Sequence, residues 1–299
     1  MIKKPTVLIL GAGASSPFHY PLGVELRNEI CGELYPQKRR YQTLINTGFA
    51  HDEIKNFRDA LYYSGKSSVD AFLEHRSEFV NIGKIAIAAT LIPNESEPIL
   101  FRNTEENWYM YLYKIMNSSF DEFGKNNISM LTFNYDRSIE HFLFLALKNS
   151  YGKNDKECAE KLRTIPILHL YGNLNDLPWQ NEDGRPYNNE TSDISALKKS
   201  ASRIRIIHED IEKDPTFQKA HEILNKAEKI IFLGFGYNQT NLNRLKIKDC
   251  FGKDIQGTCH GLPPAEISEV EKYFANGKHI AITLFGMSAI SFLKDHSIL

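Results

Sequence analysis

Short, unbroken apolar segments constrain the fold of this chain more than any other feature. Six of them are predicted to be strands: Thr6–Leu10, Ile128–Phe133, Ile165–Leu170, Lys229–Leu233, Asp254–Thr258 and His279–Leu284. Strands without polar alternation are buried on both faces, as in a parallel sheet covered by helices. Helical patterns lie between them, at Ser138–Lys148, Glu209–Ala227, Pro264–Phe274 and Met287–Leu293. This alternation predicts an α/β fold with a doubly wound, mostly parallel, six-stranded Rossmann-like sheet.

One long stretch, residues 23–125, interrupts the alternation. It has no strand pattern and several helical ones, including Gly23–Leu34 and Val69–Ala89. We therefore predict a helical insertion after the first βα turn, between the first and second strands. The chain then forms one domain, whose Rossmann-like core comprises residues 1–22 and 126–299.

Two local features refine this picture. Ser68 stands directly before an apolar helical segment and is placed to cap it. The stretch Asn173–Thr191 is rich in Asn, Asp, Gly and Pro, which favour turns. It is predicted to be an exposed loop that covers the site as a lid.

Composition narrows the possible functions. The chain has 299 residues and a net charge of -1, from 36 basic and 37 acidic residues, so we expect no nucleic-acid or membrane partner. No apolar run approaches the roughly 18 residues of a membrane helix. Its four cysteines form no C-x-x-C pair, which argues against a zinc site and a disulfide framework. We therefore expect no metal and a reducing, cytoplasmic setting.

A glycine-rich turn follows the first strand directly, with the sequence GAGASS at Gly11–Ser16. Glycines here let the backbone approach a pyrophosphate, whose charge is met by amide N–H groups and a helix N-terminus. Ser16 takes the third glycine position, and no strand ending in an acidic residue follows about 20 residues later. The ribose-binding carboxylate of a dehydrogenase is therefore missing. A tight turn without a ligand remains the alternative.

Polar residues also follow the second strand, where Thr132, Asn134 and Asp136 lie close together. Open α/β sheets bind ligands at the carboxyl ends of their strands. An Asn and an Asp at that edge can hold hydroxyls, an amide or a water molecule. The alternative is that Asp136 caps the helix that begins near Ser138.

The third and fourth strands end in a similar way. His169 ends the third strand, with Gly172 shortly after, and Gly234, Phe235 and Gly236 follow the fourth. A neutral imidazole is the most common general base near pH 7, although a hydrogen-bonded core histidine is equally compatible with the pattern. The later glycines permit close backbone approach to a nucleotide, or form a tight strand-to-helix turn.

In this order the four motifs resemble those of the sirtuin-like superfamily. They are GAGAS at Gly11–Ser15, TFNYD at Thr132–Asp136, HLYG at His169–Gly172 and GFG at Gly234–Gly236. Sirtuin deacylases instead carry a glutamine where Phe133 stands, a Gly-Thr-Ser element, and four zinc cysteines, which this chain lacks. The sequence is more similar to the zinc-free, sirtuin-like NAD hydrolases of bacterial anti-phage defence, which the segment Val69–Leu73 also resembles.

The resemblance implies a role for each matched residue. Asn134 would hold the nicotinamide ribose or the attacking water, Asp136 would engage the carboxamide, and His169 would be the general base. The remaining matched residues would bind the pyrophosphate and the adenosine half of NAD: Gly11, Ala12, Gly13, Ser15, Thr132, Gly172, Gly234, Phe235 and Gly236. Breaking the bond to a pyridinium releases neutral nicotinamide without a general acid, so positioning and deprotonating the nucleophile are the main tasks.

These observations favour an NAD glycohydrolase that yields nicotinamide and ADP-ribose, acting as an NAD-depleting effector in anti-phage defence. A protein deacylase is the first alternative, and the missing cysteines argue against it. A non-catalytic NAD or ADP-ribose sensor is the second, and the presence of both Asn134 and His169 argues against it. An unrestrained NAD hydrolase would drain a central cofactor, so we also expect a regulatory partner protein or a homo-oligomer.

Overall fold

Six parallel strands form one sheet in the computed structural model, which describes residues 1–206, 214–276 and 280–296. The strands are β1 Thr6–Leu10, β2 Ile128–Thr132, β3 Ile167–His169, β4 Lys229–Leu233, β5 Asp254–Thr258 and β6 Thr283–Phe285. Their order is β3-β2-β1-β4-β5-β6, and each neighbouring pair is parallel. This is the order of a doubly wound dinucleotide-binding sheet, and it reverses between β1 and β4. The predicted fold class is confirmed.

The strand bounds agree in part with the apolar pattern, and β3 is shorter at both ends than the predicted Ile165–Leu170. β1, β4 and β5 have the predicted limits, and all five residues of β1 are buried. β2 ends one residue early, because the backbone N–H of Asn134 donates to Thr132 Oγ1 and turns the chain there. β6 begins later than predicted, and His279 lies outside the described residues.

The chain between β1 and β2 is mainly helical, and residues 11–127, all of them described, contain no strand. Its helices are α1 Ala12–Ser15, α2 Gly23–Glu33, α3 Arg39–Asn46, α4 His51–Tyr63, α5 Val69–Leu73, α6 Val80–Leu91, α7 Glu97–Leu100, α8 Trp108–Ile115 and α9 Phe120–Phe123. The predicted helical insertion therefore exists.

The helices after β2 lie between the later strands, except the last one, which follows β6. They are α10 Ser138–Tyr151, α11 Asp155–Leu162, α12 Ile194–Arg203, α13 Pro215–Lys226, α14 Gln239–Arg244, α15 Pro264–Ala275 and α16 Ala289–Asp295. The predicted helix Glu209–Ala227 corresponds to α13, and its first residues lie outside the described part of the chain. None of the helices described is both long and apolar enough to cross a lipid bilayer.

The prediction of one helix over Val69–Ala89 was wrong, because α5 and α6 are separate. Ser68 does cap α5, since its Oγ accepts a hydrogen bond from the backbone N–H of Ala71 at 3.1 Å. The chain then turns back, and Leu73 packs directly on Gly83, where an added Cβ would lie 2.6 Å from Leu73 Cδ1. The fold-back buries the apolar residues of both segments, which a single straight helix would spread over different faces.

The prediction that Asn173–Thr191 is an exposed loop was right in part: the stretch has no helix or strand and many of its residues are exposed, but others anchor it in the core. Its side chains Leu174, Leu177 and Tyr187 are buried in the core. Arg185 of this segment forms an ion pair with Glu95 at 2.6 Å, and Glu95 also pairs with Arg137 at 2.7 Å. Buried charges of this kind require partners, so the network fixes the segment against α7 and α10.

Candidate functional site

The sheet brings the predicted motifs to one edge. In the register of the strands, Leu10 is paired with Thr132, Thr132 with His169, and Leu10 also with Leu233. The glycine-rich turn and the segments after β2, β3 and β4 therefore leave the sheet side by side. This carboxyl edge, at the point where the strand order reverses, is where open α/β sheets bind their ligands.

The glycines of the two turns pack backbone against backbone. Gly13 N–H donates to Gly234 O at 2.9 Å, and a Cβ on Gly13 would lie 2.9 Å from Gly234 Cα. Gly234 has φ +55°, and a Cβ there would overlap Ala14 N and Gly13 C. The close approach that these glycines permit is thus made to each other, and the pyrophosphate cradle stays a prediction.

Asn134 ties the end of β2 to the glycine-rich turn. Its side-chain Nδ2 donates to Gly11 O and to Ser15 Oγ, both at 2.9 Å. Its backbone N–H is held by Thr132 Oγ1 at 3.0 Å. The orientation of the carboxamide is therefore fixed from both ends, as a group that positions a ligand hydroxyl or a water must be.

His169 is held between Asn134 and Glu140. Its Nδ1 lies 2.8 Å from Asn134 O, and its Nε2 lies 2.5 Å from Glu140 Oε1. The Asn134 carbonyl oxygen only accepts, so Nδ1 donates to it, and an ionised Glu140 favours a proton on Nε2 as well. Burial by itself would lower the pKa of His169, but the charge and hydrogen bond of Glu140 outweigh it and raise the pKa above 6.5. Both ring nitrogens face acceptors of the protein, and the predicted role of His169 as general base stays a prediction.

Glu140 is the site residue that the sequence analysis missed. It lies in the first turn of α10, and its side chain is 1% exposed. Its second oxygen, Oε2, is buried without a hydrogen-bond partner. The available signal was a lone acidic residue in the segment Ile139–Leu147, which is apolar apart from Glu140 and His141, because such a carboxylate needs a buried partner.

Asp136 lies at the start of α10 and also lines a cavity, while its contact with the carboxamide of NAD stays a prediction. Its Oδ1 accepts hydrogen bonds from the backbone N–H of Ser138, at 3.2 Å, and from Ser138 Oγ, so it supports the start of α10. It also lines a cavity next to Asn134. Burial raises the pKa of Asp136, and hydrogen bonds from Ser138 and Ser15 oppose that shift.

This cavity, of about 80 Å³, lies between the glycine-rich turn and the helical insertion. Its polar wall comprises Ser15, Asn134, Asp136 and Asp70, and Leu26 and Leu91 contribute to its apolar wall. A larger, open hollow of about 490 Å³ lies at the amino ends of β1 and β2. The smaller cavity is the candidate site, because ligands of such sheets bind at the opposite, carboxyl edge.

Of the predicted site residues, Ala12, Ser15, Asn134 and Asp136 line this cavity, and the others do not: Gly11, Gly13, Thr132, His169, Gly172, Gly234, Phe235 and Gly236. Gly172 forms an antiparallel bridge with Ile204. Phe235 is buried in an aromatic cluster, with its ring centroid 5.3 Å from that of Phe133. Gly236 is exposed, with open space around it. Contact of these residues with the adenosine half of NAD stays a prediction.

Metal ligands are not evident at the site. Within residues 1–206, 214–276 and 280–296, no group of three His, Cys, Asp or Glu side chains is arranged to hold a metal ion. The four cysteines, Cys31, Cys158, Cys250 and Cys259, are buried free thiols.

Comparison with known proteins gives limited information. No protein-family model matches the chain, and no curated protein matches it. It is similar to a solved structure described as "The Structural basis of Sirtuin Substrate Affinity", with 17% identity and a TM-score of 0.40. The alignment covers 97% of this chain and 91% of that one. A likeness at this level says nothing about substrate or reaction.

Proposed function

We propose that this chain is an NAD glycohydrolase that cleaves the nicotinamide–ribose bond. The observation that carries the proposal is the fixed carboxamide of Asn134 beside the carboxylate of Asp136, in a cavity at the carboxyl edge of the sheet. The order of the four motifs along the chain, which resembles that of sirtuin-like NAD hydrolases, supports the same substrate.

The reaction places modest demands on the protein. The glycosidic bond breaks with its electron pair going to the pyridinium nitrogen, so nicotinamide leaves as a neutral molecule. A water oxygen bonds to C1′ of the ribose and loses one proton. The products are nicotinamide, ADP-ribose and that proton. A positioned water and one proton acceptor therefore suffice.

In this proposal Asn134 orients the ribose hydroxyls or the attacking water. Asp136 accepts the water proton, because it lines the same cavity and burial raises its pKa, which makes its carboxylate a stronger base. His169 acts through Asn134, whose backbone carbonyl it holds, and Glu140 keeps the His169 ring protonated. His169 and Glu140 are thus positioning residues.

A test compares nicotinamide release from NAD⁺ by the wild-type chain and by Asn134→Ala, with and without an acylated peptide. We expect release by the wild type that is independent of the peptide, and a loss of at least about 100-fold in the variant. Release that requires the peptide would instead indicate a deacylase. Tight NAD⁺ binding without any release would indicate a sensor.

We also propose that the activity serves NAD depletion in anti-phage defence and is restrained by a partner protein or by self-assembly. The support is the resemblance of the motifs, together with the toxicity expected of an unrestrained NAD hydrolase. Specific activity measured over a range of chain concentrations tests self-assembly, since only an assembling enzyme changes its rate per molecule. A constant, high specific activity that kills the host at modest expression would contradict external restraint.

A further inference from the structure

Helix α5 of the insertion lies across the crevice where the strand order reverses. Asp70 and Glu74 are four residues apart and so project from one face of the chain's helical path. Asp70 accepts a hydrogen bond from the hydroxyl of Tyr135, which follows β2. Glu74 pairs at 2.8 Å with Arg244, which ends α14 after β4. The insertion thus connects to both halves of the sheet.

The opposite side of α5 anchors it in the core. Val69, Phe72 and Leu73 are 0–2% exposed. The ring centroid of Phe72 lies 6.2 Å from that of Phe57 and 5.8 Å from that of Phe79. Anchoring of this kind fixes the position of the Asp70 carboxylate, as a specificity-determining group requires.

Asp70 and Asp136 both line the cavity that Asn134 also lines. Among the described residues that line it, none is Lys, Arg or His. Burial raises the pKa of Asp70, and its hydrogen bond from Tyr135 opposes that shift. Two carboxylates that share a small cavity favour a bound positive charge, which stabilises their ionised forms.

We propose that Asp70 is a specificity-determining residue that selects the cationic, oxidised nicotinamide ring of NAD⁺ over neutral rings. The proposal rests on the proposed function, because it assumes that the nicotinamide end of the dinucleotide enters this cavity. It assigns the insertion a part in substrate recognition. The pyridinium of NAD⁺ is positively charged, the dihydropyridine of NADH is neutral, and ADP-ribose lacks the nicotinamide ring.

The test measures dissociation constants of NAD⁺, NADH and ADP-ribose for the wild type, Asp70→Asn, Tyr135→Phe and Glu74→Gln, with nicotinamide release followed in parallel. We expect the wild type to prefer NAD⁺ over NADH by at least about tenfold, as one favourable charge contact provides. Asp70→Asn should remove most of this preference and leave ADP-ribose affinity unchanged. Tyr135→Phe keeps the Asp70 carboxylate and should keep the preference.

Glu74→Gln is the matched control, because it removes one negative charge from the next turn of the chain without touching the cavity wall. It should keep the preference for NAD⁺ over NADH within about twofold. Glu74 does not line the cavity, and solvent screens charges that act over a longer distance. An unchanged preference in Asp70→Asn would overturn the proposal, and so would equal losses in Asp70→Asn and Tyr135→Phe, which would show that Asp70 only holds Tyr135.

The outcomes for the two proposals are separable. If the wild type prefers NAD⁺ and Asp70→Asn does not, but no nicotinamide is released, the hydrolase assignment fails and the role of Asp70 stands. If nicotinamide is released and the preference does not depend on Asp70, the hydrolase assignment stands and the role of Asp70 fails. If the wild type binds none of the three molecules, both fail.

Discussion

The carboxylate of Glu140 and the imidazole of His169 meet at 2.5 Å, with side chains that are 1% and 7% exposed. The pair joins α10 to the end of β3. His169 also forms a hydrogen bond with the backbone carbonyl of Asn134, and the side chain of Asn134 donates to Gly11 O in the glycine-rich turn. A buried, hydrogen-bonded charge pair fixes geometry, so the position of the Asn134 carboxamide depends on the two residues behind it.

Replacing either member of this pair should therefore impair turnover more than binding. For Glu140→Gln and His169→Ala we expect nicotinamide release to fall by about 100-fold, the typical effect of a misplaced reacting group. The affinity for ADP-ribose should change little, because the glycine turns remain. Steady-state kinetics and calorimetry measure the two effects. The exposed Glu160→Gln on α11 is the matched control, and a rate in Glu140→Gln equal to that control would contradict the positioning role.

The pH dependence distinguishes a positioning histidine from a base. In the folded chain, burial by itself would lower the pKa of His169. Glu140, with a smaller contribution from Asp136, outweighs burial and raises the pKa above 6.5. The contribution of His169 to stability is thus fully present below about pH 6.5 and is lost as the pH rises through the folded pKa. The unfolding free energy of the wild type relative to His169→Gln should shrink over that window.

Nicotinamide release should fall across the same window, because the ring that holds Asn134 loses its proton. A free imidazole base would give the opposite sign, with release rising as the ring is deprotonated. The pH profile of kcat/KM for the wild type decides between these two outcomes.

Gly234 should tolerate no side chain. Gly234→Ala places a Cβ into the backbone of Gly13 and Ala14 and adds strain at φ +55°. We expect a loss of more than about 1 kcal/mol in the free energy of unfolding. Gly236→Ala, two residues later, meets open space and should unfold at nearly the same denaturant concentration as the wild type. Equal midpoints for the two variants would refute the packing of the two turns.

The buried ion network of Glu95, Arg137 and Arg185 should contribute much more to the free energy of unfolding than an exposed ion pair does. Glu95→Ala leaves Arg137 and Arg185 buried without their counter-charge, and such a loss typically costs about 3–5 kcal/mol. Glu122→Ala removes an exposed partner of Lys125 and should have little effect. Chemical denaturation of both variants measures the difference, which would be absent if the segment were a loose lid.

The sequence predicted the sheet because its signal is local. The limits of β1, β4 and β5 were correct, and local residues mark most of them: Gly11 and Gly234 follow β1 and β4, and the charged Glu228 and Lys253 precede β4 and β5. The break between α5 and α6 was missed because Leu73 and Gly83 meet only after the chain folds back. Helical periodicity over Val69–Ala89 contains no sign of that contact.

The site was predicted in part for the same reason. Asn134 and His169 stand at strand ends, where position alone suggests function. Glu140 lies on a helix 29 residues before its partner, and only the packing of α10 against β3 brings them together. Asp70 is 65 residues from Tyr135 in the sequence and reaches the cavity only through the insertion. Contacts of this range are set by tertiary structure and leave no periodic pattern.

The most direct test of the central claim is the stoichiometry of products when the purified chain is incubated with NAD⁺ and a metal chelator. The account predicts that nicotinamide and ADP-ribose appear in equal amounts, without a peptide or metal, and that Asn134→Ala releases neither at a measurable rate. Intact NAD⁺ after prolonged incubation with the wild type at high concentration, or release that Asn134→Ala retains in full, would contradict it.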